Sequence, residues 1–379
     1  MSSLYIDTGS PPARATFMLN TAVFRGMPQE GGAYPAGGSD EMARCLIPVV
    51  ERAGGRVLER ASVAEVLTEG GATSKDVKVT GVRMADGTVV RCDLVISSVG
   101  YHNTFGKLIA AETCAALHIP RKLPVRDSAG FVMCNIGIHG DPKDLGLTCC
   151  NLWYHPVADP SDDGKCDLFQ GAQRFFDDPL RQDFPAMITF PSLKDRAWKH
   201  ADRVTCQMLV MAEYDWFAKW ADQPSGSRDA QYLALKAHWQ QRCLDLLFRF
   251  YPKLQGKVEL VDVSTPLSIE YYLREPKGGA VGLDQSPDRF TNWKVVEHLD
   301  MQTRVSGLWL TGQDTLLCGQ PIVQIAGILT ALRLSGVIGA ARFVAMAIRT
   351  ALQTLLLPKP YTASGSNVLT SRQQSDSDG

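Results

Sequence analysis

No CxxC pair and no Cys/His spacing of the zinc-site kind occurs among the ten cysteines of this 379-residue chain. That removes a structural zinc site from consideration, and no metal site is expected. Apart from Cys149-Cys150 the cysteines are scattered singles, which points to buried or idle thiols in a reducing or cytosol-facing compartment. An excess of either charge is missing as well: 39 Lys and Arg stand against 40 Asp and Glu, a net charge of −1 that argues against a general nucleic-acid binder. No run reaches the roughly 18 uninterrupted apolar residues of a membrane span. The opening MSSLYIDTGSPPARATF has no apolar core of signal-peptide length, so no signal peptide is expected. A Walker-type GxxxxGK[ST] is absent, and so is the dinucleotide fingerprint GxGxxG after a strand. Neither the cluster EYDWF at 213–217 nor the seven histidines form a triad that spacing reveals.

What is present suits a folded globular protein: 45% hydrophobic and 21% charged residues, over a length that implies two domains or one large domain with an insertion. Residues 1–38 are a polar, turn-rich entry segment ending in GGAYPAGG. From Asp40, Met42, Leu46, Val49 and Val50 recur at helical spacing after Ser39 or Asp40 as N-cap, with Pro48 as a point of kinking. RVLER, ASVAEVLTEG and residues 77–84 read as strands, and ADG at 85–87 as a hairpin turn into TVVRCDLVISSVG. The small residues that end LVISSVG let a backbone or a ligand come close.

Residues 111–300 mix strand-like FVMCNIGIHG and TCQMLVMAEY with an amphipathic helix over 230–251, bounded by Pro252. Six of the seven tryptophans lie between Trp153 and Trp293; packing accounts for most of them, although an apolar ligand cavity has the same lining. Beyond Gly312 two apolar helical pieces follow, over 322–334 and 337–356, divided by Ser335-Gly336. The second sets Arg342, Arg349 and Gln353 on one face, a pattern that fits a helix lying in a membrane interface or one docked on the domain. Residues 359–379 have the composition of a disordered tail.

The segment GLWLTGQDTLLCGQP at 307–321 combines a short apolar strand, a glycine turn and a helix start. Unpaired first-turn N–H groups and the positive end of the helix dipole make such a junction an anion cradle, and Asp314 could accept from sugar hydroxyls. The same glycines also serve purely steric roles in many folds.

YPAGGSDEMARCLIPVVERAGGRVLERASV, DLVISSVG, TPLSIEYYLREPKGGAVGLD and GLWLTGQDTLLCG together resemble the phytoene desaturase-like flavoproteins, nearest the branch that saturates retinoids or isomerises carotenoids. The resemblance runs over about residues 17–335, in family order. It implies an α/β fold with an α+β substrate region: a Rossmann-like FAD-binding domain of the amine oxidase type with an inserted sheet-based substrate domain. On that basis 39–110 form part of the FAD domain, 111–300 mainly the substrate domain and 301–336 the closing FAD segment; 337–358, beyond the resemblance, is the amphipathic helix that fits a membrane interface or a docked position.

The resemblance places Gly37 and Gly38 near the flavin, Val63 after the strand that addresses the adenine, and Ser97 at the end of a strand under the cofactor. Gly312, Gln313 and Asp314 would meet the pyrophosphate and ribityl chain, while Gln320, Pro321, Ile322 and Val323 approach the flavin ring, with the following helix aimed at its C2 carbonyl side. The family opens with a GxGxxG unit, and this chain begins downstream of it. The Rossmann-like domain is therefore expected to be incomplete, from a truncated gene model or a genuinely short protein. The implied chemistry is hydride exchange between flavin and a polyene, with NAD(P)H as electron donor and an apolar retinoid or carotenoid as substrate. The competing readings are a carotenoid isomerase or desaturase of the same fold, and an inactive fragment that does not bind FAD. The implied location is the endoplasmic reticulum membrane surface, or a plastid if carotenoids are the substrate. No catalytic acid is identifiable. Tyr271 and Tyr272, in a piece read as strand, are expected to pack in the core, with pocket walls or proton supply as the alternative.

Overall fold

The computed structural model describes residues 16–17, 21, 33–70, 76–156 and 168–356, with side chains omitted at 168–169 and 354–356. Most of the expected entry segment and the whole of the 359–379 tail lie outside these residues. The chain divides into two compact units, 1–327 and 328–379.

In the first unit, helix α1 (Asp40–Arg52) starts after Ser39 and carries Pro48 without a break. Asp40 and Glu41 in its first turn and Arg52 in its last complement the helix dipole. None of its side chains is buried. RVLER was expected to be a strand and is not: residues 56–60 join no ladder, and Arg60 adopts φ +55°, which an extended run does not accommodate. The strands β1 (Val63–Glu69), β2 (Lys78–Met84) and β3 (Val89–Arg91) form an antiparallel meander. Its ADG turn closes on a Gly87 N–H to Met84 carbonyl bond of 3.0 Å. β4 (Val95–Ser97) leaves that sheet, and a short helix α2 (Ala111–Ala116) follows.

The middle of the unit is a five-stranded antiparallel sheet of β5 (Gly130–His139), β6 (Leu152–Tyr154), β7 (Ala186–Thr189), β8 (Arg203–Ala212) and β9 (Val258–Ser264), in the order β6-β7-β8-β5-β9. Helix α3 (Leu168–Asp177) falls between β6 and β7, and α4 (Ala230–Phe250) between β8 and β9. Alternation along the strands puts Val132, Cys134 and Ile136 of β5 and Val204, Cys206 and Met208 of β8 on one face, in a core shared with Trp239, Leu246 and Leu247 of α4. Phe175, Phe184 and Trp216 pack around Trp239, so the aromatic enrichment here is core packing. Asp229 caps α4 by accepting from the Tyr232 N–H at 3.0 Å, and the helix ends before Pro252.

Helix α5 (Pro266–Leu273) stands where the piece carrying Tyr271 and Tyr272 reads as strand-like. Thr265 and Ser268 form a reciprocal capping box with Pro266 at the first helical position, and this local start signal overrides the strand preference of the aromatics. Tyr271 and Tyr272, expected in the core, are 44% and 76% exposed on the last turn. β10 (Leu308–Leu310) then returns to pair in parallel with β4.

Helix α6 (Gln320–Leu356) crosses from the first unit into the second. Gly336, at φ +63°, interrupts it where Ser335-Gly336 was read as a divider. In the second unit Val337, Ile338, Val344, Met346 and Ile348 are exposed. No 18 apolar residues run uninterrupted here, yet the helix over 320–353 is long and apolar enough, by length and composition, to cross a membrane, its most apolar 18-residue window having a mean hydropathy of 1.7. All nine described cysteines are free thiols.

Candidate functional site

β4 and β10 lie side by side in register, Val95 with Leu308, Ile96 with Trp309 and Ser97 with Leu310. Both strands end in small-residue turns at the same edge. Thr311 N–H donates to the Ser97 carbonyl at 2.9 Å, and the buried Ser97 hydroxyl meets that of Thr104 at 2.7 Å. Gly312 follows at φ +96°, a conformation that favours glycine.

Asp314 is 5% exposed, and its carboxylate faces protein. One oxygen accepts the Tyr101 N–H at 2.8 Å, the other the Leu283 N–H at 3.0 Å. Gly282 is required beside it: at φ +72°, an added Cβ would stand 2.4 Å from an Asp314 carboxylate oxygen. Underneath lies Arg289, 2% exposed, whose guanidinium donates to the carbonyls of Leu283 (2.9 Å), Gln313 (2.6 Å), Asp314 (3.0 Å) and Leu316 (3.2 Å). A buried cation thus gathers the backbone of the TGQDTL turn, and the carboxylates that favour its charge are Asp314, the stronger, and Asp284.

Two further groups stand beside this turn. The His102 ring accepts the Leu123 N–H at Nε2 (3.2 Å), which leaves the Nδ1–H to donate to Asp127 at 2.8 Å. Glu275 follows α5, and burial, reinforced by the Asp314 and Asp127 carboxylates, pushes its carboxyl up to about 7 from 4.5. Because the folded-state value is the higher one, the stabilisation belongs to the protonated form. It is fully present below pH 4.5 and is lost as pH rises through about 7. Glu275→Gln is therefore expected to gain about 1–2 kcal/mol of stability over the parent between pH 5 and pH 8, after allowance for the solvent-facing part of the group. Urea denaturation of both proteins at the two pH values measures it, and parallel pH profiles would refute it.

The sequence-derived positions fall into three places. Ser97, Gly312, Gln313 and Asp314 come together at the β4–β10 edge. Gly37, at φ +92°, donates its N–H to Asp195 at 2.7 Å, and Gly38 is at φ +88° just before α1. The Gln320 side chain touches Met42 of α1, which brings that region to the start of α6. Val63 begins β1 opposite Met84 in the meander, with no described contact to the turn. Ile322 and Val323 both donate to the Gly319 carbonyl at 3.0 Å. Gly319, Gln320 and Pro321 are exposed, and a Cβ at Gly319 would meet nothing within 4 Å.

Sequence reasoning missed Arg289, Glu275, the His102–Asp127 pair and Gly282. A weak signal was there: the run PKGGAVGLD has glycines where close backbone approach is needed, with Arg289 a few residues on.

No family model matches the chain. All-trans-retinol 13,14-reductase of Macaca fascicularis is 30% identical over 330 residues, 84% of this chain and 52% of that protein. Prolycopene isomerase of Arabidopsis thaliana is 23% identical, covering 86% of this chain and 50% of that protein. Among solved structures, an oxidoreductase from Methanosarcina mazei superposes with a TM-score of 0.43 at 17% identity, over 74% of this chain and 50% of that one. The chain spans about half the length of the curated relatives it matches. Along 84% of its own length the chain is similar to all-trans-retinol 13,14-reductases.

Proposed function

We propose that this chain contributes to an FAD-dependent oxidoreductase that acts on the CH–CH bonds of a polyene and saturates a retinoid double bond. The observation that carries the proposal is the 30% identity to a retinol 13,14-reductase over 84% of the chain. The turn geometry fits a flavin in part. Gly312 and Gly319 hold left-handed conformations, and the exposed backbone at Gly319 and Gln320 offers an unobstructed surface against which a flat or anionic group can lie. The Asp314 carboxylate does not fit a ligand contact, since two backbone N–H groups already hold it inward.

FAD would be held by the main chain of Gly312 and Gln313 and by Gln320, Pro321, Ile322 and Val323 at the start of α6. It supplies hydride transfer to or from carbon, with NAD(P)H as the electron source. The protein's part is to hold the turn rigid from beneath, through Arg289 and Asp314, and to keep water from the substrate.

The test takes the purified chain through an FAD titration and then, with NAD(P)H, an incubation with all-trans-retinol. A yellow protein and a product that has gained two hydrogen atoms are expected. A product of unchanged mass and altered double-bond geometry would move the assignment to an isomerase. A colourless protein with no thermal stabilisation by FAD would sink the reading for this chain.

The exposed apolar residues of α6 after Gly336 are proposed to meet a membrane surface, that of the endoplasmic reticulum by resemblance. The full chain is expected to float with lipid vesicles, and a chain ending at residue 336 to stay in the dense fraction. Equal flotation of both would refute this role.

A further inference from the structure

The sheet face opposite the α4 core carries two ordered rows. Trp153 of β6 pairs with Met187 of β7, Met187 with Leu209 of β8, and Leu209 with Met133 of β5. All four side chains are half-buried and lie across four strands, a span of ~14 Å at the usual strand spacing. Two residues along each strand, on the same face and about 7 Å away, runs a polar row. Thr189 pairs with Gln207 and Gln207 with Asn135, and Asn151 precedes β6 at its outer end.

The polar row is linked and incompletely satisfied. Gln207 Nε2 donates to Asn135 Oδ1 at 2.8 Å, which commits one amide hydrogen and one amide oxygen and leaves Gln207 Oε1 for another donor. Lys194 donates to the Thr189 hydroxyl at 2.6 Å and to the Asn151 side-chain oxygen, two of the three donors an ammonium has. The ammonium is half-buried, and burial holds its pKa below the ordinary lysine value. A purely apolar cover would leave these amide and ammonium groups buried and unpaired, which is unfavourable. A purely polar cover would waste the apolar row.

We infer that this face binds a long apolar chain ending in a hydroxyl: the chain lies along Trp153, Met187, Leu209 and Met133, and the hydroxyl accepts from Lys194 and donates to Gln207. An alcohol does both; a carboxylate only accepts, and a hydrocarbon does neither. The inference deepens the proposed function and rests on it for the identity of the chain as a polyene. It also selects among substrates, favouring a retinoid alcohol over a hydrocarbon carotene. The row leads toward the turn: Met133 packs against the same small core of Ala129, Phe131 and Ile269 as Ala280, which lies two residues before the Gly282 that abuts Asp314.

The test is equilibrium binding, without flavin or turnover, of all-trans-retinol and of a hydrocarbon carotene to the full chain. Lys194→Met is expected to raise Kd for retinol about tenfold and to leave the carotene unchanged. Leu209→Gln is expected to weaken both about tenfold or more. If Leu209→Gln does not fold, as judged by its thermal transition, Trp153→Ala on the edge strand makes the same test. Retinol binding by Lys194→Met at parental affinity, or equal losses for both ligands in that same variant, would overturn the inference. Should turnover succeed while these variants bind normally, the site is wrong and the proposed function stands; should binding follow the pattern while no flavin chemistry occurs, the reverse holds.

Discussion

Arg289→Met is expected to cost about 3–5 kcal/mol of unfolding free energy, which for a unit of this size is a fall in midpoint of roughly 10 °C. Methionine matches much of the volume of arginine and donates nothing. Four carbonyls, those of Leu283, Gln313, Asp314 and Leu316, lose a charge-assisted donor at once, and the buried Asp314 loses its neighbouring cation. Arg289→Lys should recover little, because one ammonium on a flexible stem cannot reproduce a planar fork reaching four acceptors. Thermal denaturation of the three proteins measures the order parent, Lys, Met. A methionine variant within about 0.5 kcal/mol of the parent would mean that the turn is held by its own hydrogen bonds and that the guanidinium is incidental.

Elements with strong local signals were legible in the sequence. The ADG hairpin, α4 before Pro252 and the division at Gly336 each follow from a turn residue, a cap or a helix breaker, while α1 follows from its apolar periodicity, since the Ser39 side chain makes no capping bond. The middle strands β5 and β8 were legible from alternation, since one face of each is buried against α4. α5 was not: its YYL run favours a strand, and the deciding Thr265–Ser268 capping box is a four-residue feature at its edge. RVLER was misread because apolar alternation cannot show that a partner strand is missing.

At the site, the resemblance assigns Ser97 and the TGQD turn separately to one cofactor, and the β4–β10 pairing sets them side by side. What lies under the turn was not foreseen. Tyr101, Leu283 and Arg289 approach Asp314 from segments whose separation in sequence carries no periodicity, and a buried arginine looks in sequence like any exposed one. The cross-strand rows on the sheet were equally hidden, because register is a property of pairs and no single strand displays it.

Asp314→Asn separates the two roles this residue can have. If its carboxylate accepted from sugar hydroxyls of a bound cofactor, the amide would weaken FAD binding and leave the cofactor-free protein as stable as before. The geometry requires the opposite order. Each carboxylate oxygen accepts one backbone N–H, from Tyr101 and from Leu283. An asparagine keeps a single oxygen, so one of these buried donors must face an NH2 group, donor against donor. The neutral side chain also removes the strongest anionic neighbour of Arg289, leaving Asp284 as the remaining carboxylate near it. The cofactor-free variant should therefore lose about 3 kcal/mol or more, before any flavin is added. Asp314→Ala should be no worse than Asp314→Asn by more than about 1 kcal/mol, since it leaves the second N–H unpaired but removes the repulsion at the first. Glu275 supplies the internal control. With a neutral residue at 314, the largest carboxylate contribution to its raised pKa is gone, and the pH dependence expected for the parent between pH 5 and 8 should shrink. Chemical denaturation of the cofactor-free proteins across that range tests both consequences together. Parental stability in Asp314→Asn, with only FAD affinity reduced, would return Asp314 to the cofactor and refute the structural role argued from its two N–H partners.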